Sequence, residues 1–345
     1  MKRDIKSMLL EELEEYFKST GEQKFRAKQV FKWLHSGVIA FSEMTDISIE
    51  LRDKLDNEFY ISEPVLVEKQ VSAADGTEKY LWRTMNDDMV ECVLMQYSHG
   101  NTICISTQVG CKMGCTFCAS SIDGFKRDLN ASEMLDQVIF TQLDSGKRIS
   151  NVVLMGIGEP LDNFDNVIRF VQLICHPAGK NIGARHITIS TCGLVENIDR
   201  LAEYDVQLTV AISLHAPDDE TRSQLIPFNR KTGVKDLLEA GERYFKKTGR
   251  RITYEYALID NINDSTRHAE LLSQLLKNTS SHLNLLFLSN VKDRGFKPSP
   301  KEHVRRFTEI LDKKGVNYTM RRSLGADIDA ACGQLRHRVL SKANI

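Results

Sequence analysis

Between residues 102 and 288 the sequence repeats one alternation, a short β-rich run followed by a stretch of helical periodicity. The runs are "TICIS" (102–106), "NVVLMG" (151–156), "HITIS" (186–190), "LTVAIS" (208–213), "ITYEYALI" (252–259) and "LNLLFL" (283–288). Between them lie helical patterns such as "ASEMLDQVIFTQLDSG", "NFDNVIRFVQLIC" and "DSTRHAELLSQLLKN". Six strands alternating with helices predict an α/β fold whose parallel sheet curves into an open (β/α)6 partial barrel. Its chemistry should sit at the strand C-termini.

The flanks read differently. Residues 1–62 predict a small helical accessory domain: "LLEELEEYFKS" carries Leu9, Leu10, Leu13 and Phe17 at helical spacing, and "KFRAKQVFKWLHSG" repeats the pattern before Gly37. Residues 63–98 alternate apolar and polar around "DGT" and "NDD", which predicts hairpin strands linking two domains. The core then spans 99–322, closing with a helix from about 300 to 314 and the strand "VNYTMRR". The tail, 323–345, is "SLGADIDAACGQLRHRVLSKANI".

No run reaches the 18 apolar residues of a membrane span, and "MKRDIKSMLLEELEEYF" is too acidic and amphipathic for a signal peptide. The expected compartment is therefore the cytoplasm, with no membrane partner. In that reducing setting eight cysteines argue for metal ligation or thiol chemistry before disulfides. A net charge of -1 gives no global attraction to nucleic acid, so any RNA-binding surface has to be local.

Three of the cysteines, Cys111, Cys115 and Cys118 in "CKMGCTFCAS", crowd a loop just past the first predicted barrel strand. A tetrahedral zinc site commonly closes with paired C-x-x-C units, and no second pair exists here. A four-iron, four-sulfur cluster on three thiolates instead keeps one iron open to a substrate or cofactor. C-x-x-x-C-x-x-C after a first barrel strand resembles the radical S-adenosylmethionine (SAM) superfamily, in motif and in architecture. The resemblance implies one [4Fe-4S] cluster whose open iron is chelated by SAM. It also implies SAM contacts at Gly158 and Glu159 of "MGIGEP", at Ser190 ending "HITIS", and at Ser213, Leu214 and His215 of "AISLH". A serine or histidine ending a strand serves equally as a cap or a packed polar residue.

With "DIDAACGQL" added, the sequence resembles the RlmN/Cfr family of RNA adenine methyltransferases, through five motifs in order from about residue 90 to 335. The resemblance implies transfer of a methyl group to carbon 2 of adenine 2503 in 23S rRNA and of adenine 37 in tRNA, with two SAM molecules per turnover. Carbon 2 of adenine is electron-poor and cannot attack the methyl of SAM. The resemblance implies that one SAM first methylates the thiolate of Cys332, and that the second supplies a radical that takes hydrogen from that S-methyl group. The sulfur-bound methylene radical adds to the base, giving a transient protein–RNA adduct. Cys104 is implied as the thiol that resolves it through a disulfide, and Glu91 as the proton acceptor. Period-2 alternation in "TICIS" independently turns Cys104 toward the predicted lumen. Asp87, Asp88 and Glu91 read equally well as a solvated hairpin end. After the sixth strand the family's Asn-Pro is replaced, so Ser289, or Asn290 after a shift of one residue, stands where a SAM-contacting asparagine is implied. Cys92, Cys175 and Cys192 match no role.

The implied partners are 23S rRNA, tRNA and an electron donor such as flavodoxin or ferredoxin, acting on a monomer. Lys24, Lys28 and Lys32, interleaved with Phe25, Phe31 and Trp33, form one candidate RNA patch, and Arg321, Arg322, Arg336 and Arg338 near Cys332 form another. Two rivals stand beside this reading: the carbon-8 branch of the same family, which carries Ala where this chain has Pro160, and a zinc-stabilised RNA-binding protein without catalysis.

Overall fold

The computed structural model describes residues 2–204, 206–277, 279–288, 294–328 and 333–343. Near the N-terminus a short parallel pair, β1 (Arg3–Asp4) and β2 (Phe59–Tyr60), brackets the helices α1 (Leu10–Ser19), α2 (Lys24–Ser36) and α3 (Ile49–Glu58). The heptad-like spacing seen in the sequence is the buried stripe: Leu13 and Phe17 of α1 and Val30, Phe31 and Leu34 of α2 are buried, and they merge with the main core. Fully buried Lys6 fastens this unit to the rest, its Nζ donating to Asp136 (2.6 Å) and to the Ser62 carbonyl (2.7 Å).

One ten-stranded sheet organises everything else. Its antiparallel half is the meander β3 (Val65–Val71), β4 (Glu78–Arg83), β5 (Met89–Tyr97) and β6 (Gly100–Cys104). A two-stranded ladder, β7 (Gln108–Val109) with β8 (Arg127–Asp128), closes the loop after β6. The parallel half continues from β6 through β9 (Ile149–Leu154), β10 (Ile187–Thr191), β11 (Thr209–Ser213), β12 (Ile252–Leu258) and β13 (Ser281–Phe287) to β14 (Tyr318–Met320). The crossovers are α4 (Ala131–Ser145), α5 (Phe164–Cys175), α6 (Val195–Ala202), α7 (Asp219–Leu225), α8 (Val234–Thr248), α9 (Thr266–Leu276) and α10 (Lys301–Lys314), and α11 (Gln334–Ala343) follows the tail.

The sheet runs open from β14 to β3, so the predicted open α/β architecture stands. Each of the six predicted runs lies within two residues of an observed strand. The stretch "VNYTMRR" supplies a seventh parallel strand, β14, beside β13. The hairpin strands β3–β5 extend this same sheet at its β6 edge. Among the described residues no helix is long and apolar enough to cross a membrane.

Candidate active site

Parallel pairing brings the C-terminal ends of β6 and β9–β13 to one rim of the sheet, and a cavity of about 360 Å³ opens there. Among its lining residues are Cys104, Cys118, Met155, Ser190, Ser213, His215, Glu255 and Arg321. Cys104 ends β6, held in register between Val93 and Val153, so its alternation carries the sulfur into this space as the sequence predicts. Ser190 and Ser213 end adjacent strands and meet the same cavity.

His215 bends out of β11 with a left-handed backbone (φ 54°). The Ala257 amide donates to its Nδ1 (2.9 Å), which leaves the ring proton on Nε2. Burial, helped by the nearby Arg222 charge, pushes its pKa down to about 3, so the ring is a neutral donor against the cavity. Its ring meets Phe117 edge to face at 5.1 Å, in the middle of the cysteine loop.

That loop is shaped by the β7–β8 ladder at its base. Gly110 (φ 78°) comes so close to Gly124 that an added Cβ would sit 1.6 Å from the Gly124 carbonyl oxygen, so no side chain fits. The Cys118 amide donates to the Cys115 carbonyl (3.2 Å), Ser121 Oγ donates to the carbonyls of both Cys115 and Cys118 (3.1 Å each), and Arg294 donates to the Cys118 carbonyl. Thr116 ties the loop to the end of α7, its amide donating to the Leu225 carbonyl at 2.9 Å. Burial pushes the Cys111 thiol up to about 12, helped by Cys118, Glu159 and Asp162, and Cys115 is raised further, by burial and then by Cys118 and Cys111. Three mutually opposing thiols in a dry loop are a site that favours thiolates only once a cation arrives.

Gly158 and Glu159 sit behind the loop. Both Glu159 oxygens accept backbone amides, from Cys192 (2.8 Å) and Leu161 (3.1 Å), while burial raises its carboxyl. Leu214 is fully buried, its amide donating to the Glu255 carbonyl and its own carbonyl taken by Arg222 Nε (3.0 Å). None of Glu91, Gly158, Glu159 and Leu214 lines the cavity, and of these Leu214 bonds the backbone of a residue that does, Glu255.

Glu91 is 3% exposed, unlike a solvated hairpin end. Lys79, fully buried on the neighbouring β4, ion-pairs with its Oε2 at 2.8 Å. The backbone amides of Gly333 (2.8 Å) and Arg336 donate to the same carboxylate, which therefore caps the start of α11. Gly333 in turn rests on the residues after Cys118: an added Cβ there would lie 2.7 Å from the Ser120 nitrogen and 2.8 Å from the Ala119 carbonyl carbon. Cys332, Ser289 and Asn290 lie outside the described residues.

The two arginine pairs of the tail divide. Arg321 and Arg322 line the cavity, whereas Arg336 bonds Asp123 (3.1 Å) and Arg338 bonds Glu68 (2.6 Å). In α2, Phe31 is core, Trp33 donates to Asp46 (2.6 Å), Lys24 pairs with Glu14 (3.0 Å), and Lys28, Lys32 and Phe25 stand exposed.

The family comparisons agree with this geometry. Residues 105–272 match the model of the radical SAM superfamily, and residues 4–61 match that of the ribosomal RNA large subunit methyltransferase N-terminal domain. A probable dual-specificity RNA methyltransferase RlmN of Lachnoclostridium phytofermentans is 47% identical over 345 residues, covering 100% of this chain and 97% of that protein. One of the same name from Alkaliphilus oremlandii is 49% identical over 339 residues, 98% of this chain and 99% of that protein. The chain belongs to the RlmN family. The crystal structure of a radical SAM methyltransferase from Sphaerobacter thermophilus, 40% identical, superposes with a TM-score of 0.91 over 96% of this chain and 98% of that one. An RlmN-family chain is thus an enzyme of the radical SAM fold, and the superfamily implies an iron–sulfur cluster and SAM.

The donor set fits such a cluster better than a single ion. A tetrahedral zinc with Zn–S near 2.3 Å holds its sulfurs about 3.8 Å apart. Among the described residues the only set of three donors within 4.8 Å of one another is Asp260, Asp264 and His303, where His303 already pairs with Asp264 at 2.8 Å. Cys111, Cys115 and Cys118 form no such set among the described residues, and three thiols suit a cluster that keeps one iron open.

Sequence reasoning passed over Glu255, Lys79 and Arg222. Glu255 lines the cavity with Oε1 accepting from Asn284 (3.0 Å) and Oε2 buried without a hydrogen-bond partner. Its signal was a carboxylate at a lumen-facing position of the otherwise apolar "ITYEYALI". Lys79 offered none, because its partner comes from the next strand.

Proposed function

We propose that this chain methylates carbon 2 of adenine 2503 in 23S rRNA and of adenine 37 in tRNA, consuming two SAM molecules per turnover. Cys111, Cys115 and Cys118 hold a [4Fe-4S] cluster, which when bound supplies the electron that splits SAM into methionine and a 5'-deoxyadenosyl radical. The chain's own residues do the rest. Cys332 carries the methyl group as a thioether and delivers it as a methylene radical that bonds to carbon 2. The adduct gives up one electron to a one-electron carrier and the carbon 2 proton to Glu91. The Cys104 thiolate then attacks the Cys332 sulfur, forming the disulfide as the carbon–sulfur bond breaks with its electron pair passing to the methylene carbon, which takes up a proton to become methyl. Ser190, Ser213 and neutral His215 offer hydrogen bonds to SAM on the rim, with Gly158, Glu159 and Leu214 shaping the backbone around it, and Ser289 in the register of the family's asparagine.

The observation that carries this reading is the seat of the tail. Glu91 holds the backbone of Gly333, the residue after Cys332, and Gly333 packs against Ala119 and Ser120, just past Cys118. A methyl-carrying thiol has to work between the cluster and the acceptor base, and this anchorage supports that position. Cys104 on the wall of the adjoining cavity supports the resolving role. Presenting the adenine costs a few kcal/mol of unstacking, to which Arg321 and Arg322 in the cavity and residues 1–62 outside it contribute by binding RNA. We place the enzyme in the cytoplasm as a monomer, reduced by a flavodoxin or ferredoxin.

Anaerobic reconstitution followed by mass spectrometry of the RNA tests the reading: 5'-deoxyadenosine and 2-methyladenosine are expected. Methylation at carbon 8 alone would overturn the regiochemistry. Cys332→Ala should abolish methyl transfer with iron retained, and Cys104→Ala should accumulate a protein–RNA adduct that survives denaturing gels. Normal turnover by the Cys332 variant would refute the covalent route.

A further inference from the structure

Arg222, in α7, is among the largest fully buried side chains of the described residues, at 0% exposure. Every hydrogen-bond acceptor it has among the described residues is neutral. Nε donates to the Leu214 carbonyl (3.0 Å), Nη2 to the carbonyls of Cys192 (2.5 Å) and Ser213 (3.0 Å), and Nη1 to Asn229 Oδ1 (2.6 Å). Asp219, the carboxylate closest to this network, is one side chain removed, bonded to Asn229 Nδ2 (3.0 Å) and the Val234 amide (2.7 Å). A guanidinium without a direct counter-ion is expensive to bury, because carbonyl dipoles replace its hydration only in part.

The groups around it explain why it is there. Cys192, whose carbonyl it holds, belongs with Met113, Leu225 and Ile226 to an apolar cluster against which Cys111 and Cys115 pack. Leu225, three residues on, receives the Thr116 amide of the cysteine loop. The cation thus stands behind the loop in a low-dielectric wall.

We propose that Arg222 is a positioning residue that serves as the buried counter-cation of the iron–sulfur cluster, holding its reduction potential up; this rests on the cluster assignment under Proposed function. One-electron reduction adds a negative charge to a thiolate-ligated body that is already anionic, with no proton taken up. A fixed positive charge in a dry wall stabilises the reduced form more than the oxidised one, and so eases electron entry from a weak donor. The same guanidinium holds together the ends of β10 and β11 through the Cys192, Ser213 and Leu214 carbonyls. Charge and geometry therefore reside in one side chain, and substitutions can separate them.

The test is a reductive titration of the anaerobically reconstituted full-length enzyme with dithionite and mediators, followed by electron paramagnetic resonance. Arg222→Gln should make the cluster potential more negative, and Arg222→Lys, which keeps the charge and loses the fork, should lie between Gln and wild type. Asp219→Asn, which removes the carboxylate that offsets the Arg222 charge, should shift it the other way, a sign that structural damage does not produce. A wild-type potential in Arg222→Gln overturns the proposal. Should that variant fail to retain iron, an unmoved or more negative potential in Asp219→Asn overturns it instead. Failure of the wild-type protein to take up a four-iron cluster would count against the cluster assignment itself.

Discussion

The two halves of the central sheet treat buried charge in opposite ways. In the hairpin half each buried charge meets its complement: Lys79 with Glu91 (2.8 Å), Glu78 with Lys147 and with Lys69 (3.0 Å), Asp88 with Lys126 and with Arg127 (2.6 Å). At the parallel rim Arg222 meets only carbonyls and an amide oxygen, Glu159 meets backbone amides and the Thr191 and Cys192 side chains but no cation, and one oxygen of Glu255 has no hydrogen-bond partner. Paired charges make a structure closed by its own partners, and Glu91 also reaches the tail, at the Gly333 amide. Charges satisfied only by dipoles remain available to a charged guest, and both a thiolate-bound cluster and SAM are such guests. The difference is one between a scaffold and a receptor built on the same strands.

The largest effect expected of this contrast is at the cysteine loop. Cys115→Ala should eliminate bound iron and sulfide, and all 5'-deoxyadenosine formation, while the thermal midpoint of the metal-free protein stays within a few degrees of wild type. Loss of folding in the metal-free variant would mean that the loop is part of the scaffold after all. Next in size is the hairpin pair. Lys79→Met leaves the Glu91 carboxylate buried without its cation and should cost about 3–5 kcal/mol in denaturant unfolding, part of which the double variant Lys79→Met/Glu91→Gln, uncharged but still carrying an oxygen for the tail amides, should restore. A cost under about 1 kcal/mol for the single variant would break the comparison.

How much of this could be read from the chain follows the same division. The parallel strands were legible because short apolar runs alternating with helical periodicity admit few arrangements, and the cysteine loop because three thiols at that spacing have few uses. Cys104 was legible from strand alternation. The charge pairs were not: Lys79 and Glu91 come together only through the β4–β5 register, and Lys6 and Asp136 across more than a hundred residues. Arg222 could not be recognised, since in "DETRSQL" it looks like any helix-surface arginine. Only the packing of α7 under the cysteine loop removes it from water. Glu91 was singled out by resemblance alone, and what makes it distinctive, the tail backbone that it caps, lies 242 positions away in the sequence.

A third effect, of about 2 kcal/mol, is visible through pH. His215 is held neutral by burial, with Arg222 adding to the effect, and its pKa falls to about 3 from an ordinary value near 6.5. His35, buried in α2, falls to about 4, mainly through burial and with small additions from Lys180 and His176. For a group whose folded pKa is depressed in this way, the unfolded chain binds the extra proton, so stability declines as pH drops below about 6.5 and is unaffected above it. His215→Gln should therefore gain about 2 kcal/mol on wild type between pH 7.5 and pH 5, read from paired urea curves. A constant difference across that range would mean that the ring titrates in the folded protein as it does in the unfolded chain and is not held neutral by burial.

The smallest effect should come from the rim's half-satisfied carboxylate. Burial raises the Glu255 pKa, the Asn284 bond lowers it, and Arg321 lowers it further. Glu255→Gln keeps a carbonyl oxygen for Asn284 and removes the charge, so unfolding should change by less than about 1 kcal/mol, in contrast to the loss at Lys79. The functional consequence should run the other way. A buried carboxylate oxygen without a hydrogen-bond partner, on the wall of the cavity proposed to receive SAM, is an acceptor open to a donor. Glu255→Gln should accordingly weaken SAM binding several-fold, by calorimetry on the reconstituted enzyme, with its stability intact. A variant that instead lost as much stability as Lys79→Met would show the rim to be held together by the same closed pairing as the hairpins, and the division between scaffold and receptor would fall.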